Sequence, residues 1–389
     1  MWFFRSPTIA FGEDALGHLC AIEGRRAFIV TDQQIAALGF VDRVQEKLTQ
    51  VGIGSEVFAE VEPNPSLETV QRGAAAASAY EPDWIIALGG GSAIDAAKAL
   101  WILYERPEMT PWEVAPMGSL GLRQKARFIA IPTTSGTGAE TTWPYVLTDT
   151  EGHCKRSVGH PEDIPDIAIV DPSFVAQLPR QITGDTGMDV LTHAVEGYTS
   201  LWHNDFADGM CLKAIQLVMD YLPRAFEEGC NDPEARERMH NAATIAGLGF
   251  GNSMAAMAHA MGHSLGALFP IPHGRAVGLF LPYTIEFTTC GDAPTRYGEI
   301  ARFLGLPAGD AAEGVASLTK AIRDLARRID QPTSLQEAGI SLRDFEAELP
   351  KLVENSANDS ALVVSTRFPS EEEVERVFRY AFEGKSVDF

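Results

Sequence analysis

The chain has 389 residues, 45% of them hydrophobic and 22% charged, with a formal net charge of −22, which is too long for one ordinary core and predicts two or three domains at roughly 150 residues each. That composition excludes a disordered or fibrous chain, and the acidic excess, with no Lys/Arg stripe to focus a positive field, argues against nucleic acid and anionic membranes as partners. Five cysteines, odd in number and never spaced C-x-x-C, imply neither a disulfide framework nor a cysteine zinc site, while MWFFRSPTIAFGEDALG lacks the pattern of an export signal and no run reaches the roughly 20 apolar residues of a membrane span, so a cytoplasmic location is expected.

The first 180 or so residues alternate short apolar runs with amphipathic stretches and predict strands over 27–31, 84–88, 128–131 and 167–170, with helices between several of them. That is the rhythm of a parallel α/β sheet. Beyond Asp171 and Pro172 come long segments rich in Ala, Leu, Met and Glu, which predict helices over 188–199, 210–228, 233–248 and 371–382 and an all-helical second half. Pro179 and Gly184, in SFVAQLPRQITGDTG, punctuate the pattern and place the boundary there, giving domains 1–180 and 181–389. A cleft between two such halves is where a cofactor and a substrate are expected to meet.

In the first half, the strand in WIIALGGGSAIDAAK runs into Gly89, Gly90, Gly91 and Ser92 and then a helix. Glycines let the backbone approach a pyrophosphate, and the helix N-terminus supplies N–H donors and a positive dipole end. The competing reading is a tight turn with Ser92 as N-cap, since the segment matches neither G-x-G-x-x-G nor a P-loop. A second strand opens in the same way into hydroxyls and glycines in IPTTSGTGAE, and two such loops can grip one dinucleotide from two sides. Asp32, at the end of FIVTD, can accept hydrogen bonds from adenosine ribose hydroxyls and would repel a 2′-phosphate, which favours NAD over NADP. Its competing role is to cap the next helix.

In the second half, Asp189 and His193 are four apart in TGMDVLTHAVEGYTS, and His259 and His263 are four apart in SMAAMAHAMGHSLGALFPIPHG. Residues i and i+4 share a helix face, roughly 5–6 Å apart at Cβ, so each pair can address one centre. His273 follows in a Pro-His-Gly segment, read as a loop that folds back over the helix end. A single helical Asp–His pair is more often a surface ion pair, and a lone His more often a satisfied core residue. Here several imidazoles and a carboxylate sit in apolar surroundings, and a metal would satisfy them together. An Asp-and-His set suits Fe²⁺ or Zn²⁺, and such an ion with an open position can polarise an alcohol or aldehyde oxygen beside a nicotinamide.

FRSPTIAFGEDAL, VEPNPSLETV, LGGGSAIDAAK, IPTTSGTGAE, TGMDVLTHAVEGY, the segment 259–274 and LPYTIEF together resemble the iron-containing (group III) alcohol dehydrogenases, in the superfamily that shares its fold with dehydroquinate synthase and glycerol dehydrogenase. The likeness runs nearly end to end. It implies an α/β N-terminal dinucleotide-binding domain with a parallel sheet, followed by an all-α C-terminal domain for metal and substrate. It further implies Asp189, His193, His259 and His273 as metal ligands, iron before zinc, with His263 a catalytic neighbour of the nicotinamide and not a ligand. The cofactor set it implies is Asp32, Pro63, Gly89, Gly90, Gly91, Ser92, Asp95, Thr133, Thr134, Thr137 and Lys155, with Pro63 and Pro65 shaping the adenine-side loop and an acidic residue at position 32 going with NAD.

Three departures from the family pattern concern substrate choice: Ala139 in the threonine-rich loop, the bulky Trp143 and Pro144, and SALVVSTRFPSEEEV before the last helix. Trp143, Pro144, Phe250 and Ala361 are the residues expected to shape an alcohol pocket. The reaction implied is metal-dependent hydride transfer between NAD(H) and a small alcohol, aldehyde or ketone, with His263 a member of a proton relay, in a homo-oligomer, a dimer first. Polyol oxidation like that of glycerol dehydrogenase, a hydroxyacid–oxoacid transhydrogenase, a lyase like dehydroquinate synthase and a non-catalytic nucleotide-binding protein are the alternatives. The missing Glu ligand and the missing basic cluster argue against the lyase, and the intact ligand set against the silent protein.

Overall fold

The structure is a computed structural model that describes residues 3–150 and 154–389, without the side chains of Cys154 and Lys155. The chain divides into two compact units, Met1–Gln177 and Leu178–Phe389.

The first unit carries β1 (Thr8–Phe11), β2 (Arg26–Val30), α1 (Gln33–Ala37), α2 (Phe40–Gln50), β3 (Gly54–Phe58), α3 (Leu67–Tyr80), β4 (Trp84–Gly89), α4 (Gly91–Glu105), β5 (Arg127–Pro132), β6 (Pro144–Asp149), β7 (Cys154–Gly159) and β8 (Ile167–Val170). Six of these strands form a parallel sheet in the order β1-β8-β5-β4-β2-β3, and β6 pairs antiparallel with β7. Alternate side chains of the central strands feed two cores. Phe28, Val30, Ile85, Ala87, Phe128 and Ala130 pack with residues of α3 and α4, while Ala27, Ile29, Trp84, Ile86, Leu88, Ile129 and Ile131 pack with residues of α2 on the other face. A sheet covered on both faces explains why these strands read as unbroken apolar runs. The expected strands stand within a residue or so of the observed ones. The short edge strands β1 and β3 and the β6–β7 hairpin carry no such run and were not legible.

Register then sets the carboxyl ends of the central strands. Gly89 lies opposite Pro132 in the β4–β5 pair, and Val30 opposite Ala87 in the β2–β4 pair. The Gly89 turn, the loop after β5 and Asp32 therefore stand side by side at one edge of the sheet.

The second unit is helical: α5 (Arg180–Thr199), α6 (Asp205–Glu228), α7 (Pro233–Phe250), α8 (Met257–Leu268), α9 (His273–Thr289), α10 (Tyr297–Phe303), α11 (Ala311–Arg328), α12 (Leu342–Ala357) and α13 (Glu371–Glu383). One core joins α5, α6, α7 and α11, and another joins α8, α9, α12 and α13. Among the described residues no helix is long and apolar enough to cross a membrane.

Two expectations are corrected here. Gly184 does not break the chain but lies within α5, which starts at Arg180 behind Pro179. A Cβ on Gly184 would meet the Gln331 amide at 2.8 Å and Phe226 at 3.3 Å, and one on Gly187 would run into Leu222. These glycines serve close packing and not a turn. His273 likewise is not in a loop: it is the first residue of α9, with Pro272 before it. A Cβ on Gly274 would collide with the Asp185 carbonyl and stand 2.9 Å from Asp189 Cβ. That missing atom lets the first turn of α9 lie directly on α5, and so brings His273 to Asp189.

Candidate metal centre and nucleotide loops

The metal-type residues are set by helix periodicity. Asp189, His193 and Glu196 follow one another at i, i+4 and i+7 along one face of α5, while Val190, Leu191, Ala194 and Val195 anchor its opposite side in the core. His259 and His263 occupy one face of α8, and His273 opens α9. From Asp189 Oδ1 the distances are 3.4 Å to His193 Nδ1, 3.8 Å to His259 Nε2 and 3.5 Å to His273 Nε2. One ligand atom from each of the four lies within 4.8 Å of all the others.

Asp189 Oδ1, His193 Nδ1 and His259 Nε2 are buried without a hydrogen-bond partner. Leaving such atoms unsatisfied costs about 1–3 kcal/mol each, more for a charged group, so their convergence requires a common partner. Burial pushes the Asp189 carboxyl up to about 7, an effect that the facing His259 and His263 only partly offset. Burial, then the neighbouring His259, His273 and His263, holds His193 well below its ordinary value. A buried carboxylate short of positive charge beside a neutral imidazole with a free lone pair is what a divalent cation completes. The residues fit the ion.

Glu196 was not anticipated from the sequence. Its Oε2 lies 2.5 Å from His259 Nδ1 and accepts the Ala256 N–H at 2.9 Å, while Oε1 accepts the Ala258 N–H at 2.5 Å. The carboxylate thus closes the N-terminus of α8 and directs the Nε2 lone pair of His259 toward Asp189. Burial opposes a proton on His259, but Glu196 and then Asp189 outweigh it and raise the imidazole above its ordinary value. The signal was present in the sequence as a third polar residue on the Asp189–His193 face.

His263 adjoins the centre without joining the four-residue set. Its ring stacks on His273 at 5.2 Å and 17°, and meets His259 edge-on at 5.9 Å. Its Nδ1 lies 2.8 Å from Asp359 Oδ2. Burial disfavours charge on Asp359, but His263 and the Ala361 N–H outweigh it and hold the carboxyl below its ordinary value. Phe250, at the end of α7, stacks on His193 at 3.9 Å and 14°, and Ala361 donates its N–H to Asp359 Oδ1 at 2.8 Å. These two of the four expected pocket residues therefore stand with the metal-type cluster.

Trp143 and Pro144 belong to the first unit, at the start of β6. Nearby, Lys98 is fully buried, donating to the carbonyls of Thr142 at 2.7 Å and Pro144 at 3.0 Å. Burial lowers its ammonium to about 8. Asp95, one turn earlier on α4, accepts the Val146 N–H at 2.9 Å, and burial raises its carboxyl to about 6. Asp95 and Lys98 together clasp the first residues of β6.

The glycine loop and the threonine loop interlock. A Cβ on Gly90 would meet Thr134 at 3.2 Å, one on Gly91 would meet Thr137 at 2.8 Å, and one on Gly89 would meet Ala93 at 2.5 Å. Gly90, and not Ser92, is the N-cap of α4, and no side chain closes that helix end. Its first N–H groups are thus available to an anion. Ser92 Oγ instead accepts the Asn64 N–H at 3.3 Å, tying the loop of exposed Pro63 and buried Pro65 to the helix start. Thr133 is buried with its hydroxyl unpartnered. Asp32 takes the capping role: Oδ1 caps α1 by accepting the Ile35 N–H at 2.8 Å, while Oδ2 lies 3.9 Å from where a Gly89 Cβ would be. The Lys155 side chain lies outside the described residues.

Comparison with known proteins places these features in a family context. The sequence profile of the iron-containing alcohol dehydrogenases matches residues 6–172, and that of their C-terminal domain residues 183–382. The NADPH-dependent butanol dehydrogenase of Clostridium saccharobutylicum is 38% identical over 391 residues, covering 100% of both chains. The bifunctional aldehyde-alcohol dehydrogenase of Escherichia coli is 38% identical over 98% of this chain, which spans 46% of that longer protein. The iron-containing alcohol dehydrogenase of Thermococcus thioreducens superposes with a TM-score of 0.90 at 30% identity, over 99% of this chain and 100% of its own.

Proposed function

The chain belongs to the iron-containing alcohol dehydrogenase family, and from that premise we propose that it transfers hydride between NAD(H) and a small primary alcohol or its aldehyde, with Fe²⁺ at Asp189, His193, His259 and His273. The single observation that carries this reading is the convergence of three buried, unpartnered ligand atoms on Asp189, His193 and His259. Nothing in a helical core needs that cluster for packing alone.

When bound, the ion would polarise a substrate oxygen and stabilise alkoxide character. The chain's own residues do the rest. Asp189 supplies charge to the ligand set, Glu196 orients His259, and His263 stands beside the ligands to take or return the hydroxyl proton. In the first unit the open N-terminus of α4 and the hydroxyls of Thr133, Thr134 and Thr137 receive the dinucleotide phosphates and nicotinamide end. Gly90 and Gly91 keep that loop close to its neighbour.

Asp32 supports NAD over NADP, because its carboxylate stands level with Gly89 and opposes a 2′-phosphate. The NADPH dependence in the name of the C. saccharobutylicum relative supports the other nucleotide, so both belong in the assay. That relative also supports butan-1-ol as the first alcohol to try. The edge strand β1, with Phe11 exposed, supports a homo-oligomer, a dimer first.

Anaerobic purification, metal analysis and absorbance of the reduced nicotinamide with a panel of alcohols and aldehydes test the proposal. One iron per chain and NADH formation from butan-1-ol are expected. Absence of both metal and nicotinamide turnover across the panel refutes it.

A further inference from the structure

We propose that Asp359 is a positioning residue that fixes the tautomer of His263, leaving Nε2 as the acceptor for the hydroxyl proton of the alcohol. The inference rests on the dehydrogenase reading above. Both oxygens of Asp359 are committed: Oδ2 to His263 Nδ1 at 2.8 Å and Oδ1 to the Ala361 N–H at 2.8 Å. An ionised carboxylate has no proton to give, so Nδ1 is the donor and Nε2 carries the lone pair. The ring cannot readily turn, because one face stacks on His273.

The same device occurs twice on α8, one helical turn apart. Glu196 accepts a hydrogen bond from Nδ1–H of His259, and the lone-pair Nε2 is buried 3.8 Å from Asp189. Asp359 accepts a hydrogen bond from Nδ1–H of His263, whose side chain is 21% exposed. The buried Nε2 suits a metal. The partly exposed imidazole of His263 can accept a proton and pass it on to water. In the oxidation direction the carbinol C–H bond breaks and its electron pair leaves with the hydrogen to nicotinamide C4, giving NADH. The O–H bond breaks as well, its electron pair completing the carbonyl, and the proton passes to His263 Nε2 and on to water.

The test uses the full chain loaded with diamagnetic Zn²⁺ and labelled with ¹⁵N-histidine. Two-bond proton–nitrogen correlations report the tautomer, and loss of one signal in His263→Gln assigns it. Wild type is expected to show the Nδ1–H form and Asp359→Ala to lose it. In the iron-loaded enzyme Asp359→Ala should lower kcat for butan-1-ol about tenfold to a hundredfold, with KM, metal content and NAD⁺ affinity within about twofold. Asp359→Glu, which keeps two carboxylate acceptors, should recover the tautomer and part of the rate. An Nε2–H tautomer in wild type, an unchanged kcat in Asp359→Ala, or a fall in kcat matched by loss of metal overturns the proposal. A wild-type chain that loads metal and NAD⁺ but turns over no alcohol refutes the dehydrogenase reading instead, and the tautomer, measured without turnover, still decides whether Asp359 sets His263.

Discussion

The carboxylate of Glu196 holds His259 Nδ1 at 2.5 Å while also accepting the N–H groups of Ala256 and Ala258. One residue on α5 therefore fixes both where α8 begins and which nitrogen of His259 faces Asp189. Replacing Glu196 with Ala removes the orientation and the cap together. Metal affinity is expected to fall about 10- to 100-fold, the usual cost of losing such a partner. Competition with a chromophoric chelator measures it, and affinity unchanged within a factor of two would show that His259 is oriented by packing alone.

Metal uptake should depend on pH with a definite sign. The Asp189 carboxyl is raised to about 7 by burial, and His259 is raised through Glu196, so both must shed protons before they can act as ligands. His193, pushed well below its ordinary value, is already neutral. Affinity should therefore fall as pH drops below about 7, with protons released on binding. The metal-free protein adds a linked effect. Folded Asp189 keeps its proton between the ordinary carboxyl value and about 7 while the unfolded chain does not, so its contribution to stability is present at low pH and lost as pH rises through that window. Calorimetry in buffers of different ionisation enthalpy counts the protons, and uptake that is flat from pH 5 to 8 contradicts the expectation.

Asp32 caps α1 with Oδ1 while Oδ2 stands beside the Gly89 position, and two substitutions separate the cap from the proposed nucleotide selectivity. Asp32→Ala loses the cap to Ile35 at a cost of about 1 kcal/mol, whereas Asp32→Gly at an N-cap costs only a few tenths. Both remove the charge opposed to a 2′-phosphate. Asp32→Gly should thus retain its melting temperature while kcat/KM for NADPH rises relative to NADH by about tenfold or more. A nucleotide preference that does not move places the selectivity elsewhere.

What the sequence disclosed was whatever repeats locally. The buried strands 84–88 and 128–131 announced themselves as apolar runs, and Asp189–His193 and His259–His263 as pairs at helical spacing. What it concealed depends on contacts made across the fold. Glu196 matters through a helix 63 residues away, and Asp359 through one 96 residues away. Gly184 read as punctuation and Gly274 as part of a loop because a glycine signals a missing side chain without saying whether a turn or a neighbouring helix requires it. His273 was assigned to a loop for that reason.

Gly274 makes the point measurable. Alanine there drives a methyl group against the Asp185 carbonyl and Asp189 Cβ, both backbone or near-backbone atoms that cannot swing aside. The first turn of α9 must back away and carry His273 with it. Overpacking of this kind costs about 1–3 kcal/mol, and iron content should fall with the melting temperature. Gly305, whose missing Cβ faces open space but whose φ is +70°, supplies the control: Gly305→Ala is strained in its backbone and should lower stability without releasing metal. If Gly274→Ala keeps full iron content, the α5–α9 contact does not position His273.

Asp95 separates a cofactor ligand from a structural clasp. Its carboxylate accepts the Val146 N–H and stands one turn from Lys98, which holds the carbonyls of Thr142 and Pro144. Asparagine keeps an acceptor for Val146, while alanine leaves that N–H without one. A clasp therefore predicts that Asp95→Asn retains NAD⁺ affinity within about twofold and that Asp95→Ala loses about 1–3 kcal/mol of stability. A direct ligand predicts the converse: Asp95→Asn would weaken NAD⁺ by tenfold or more with the melting temperature unchanged. The burial that raises this carboxyl to about 6 favours the clasp, because a group that gives up charge so readily is a weak partner for ribose hydroxyls but an adequate acceptor for one backbone N–H. Fluorescence titration with NAD⁺ and thermal unfolding of the two variants decide between them.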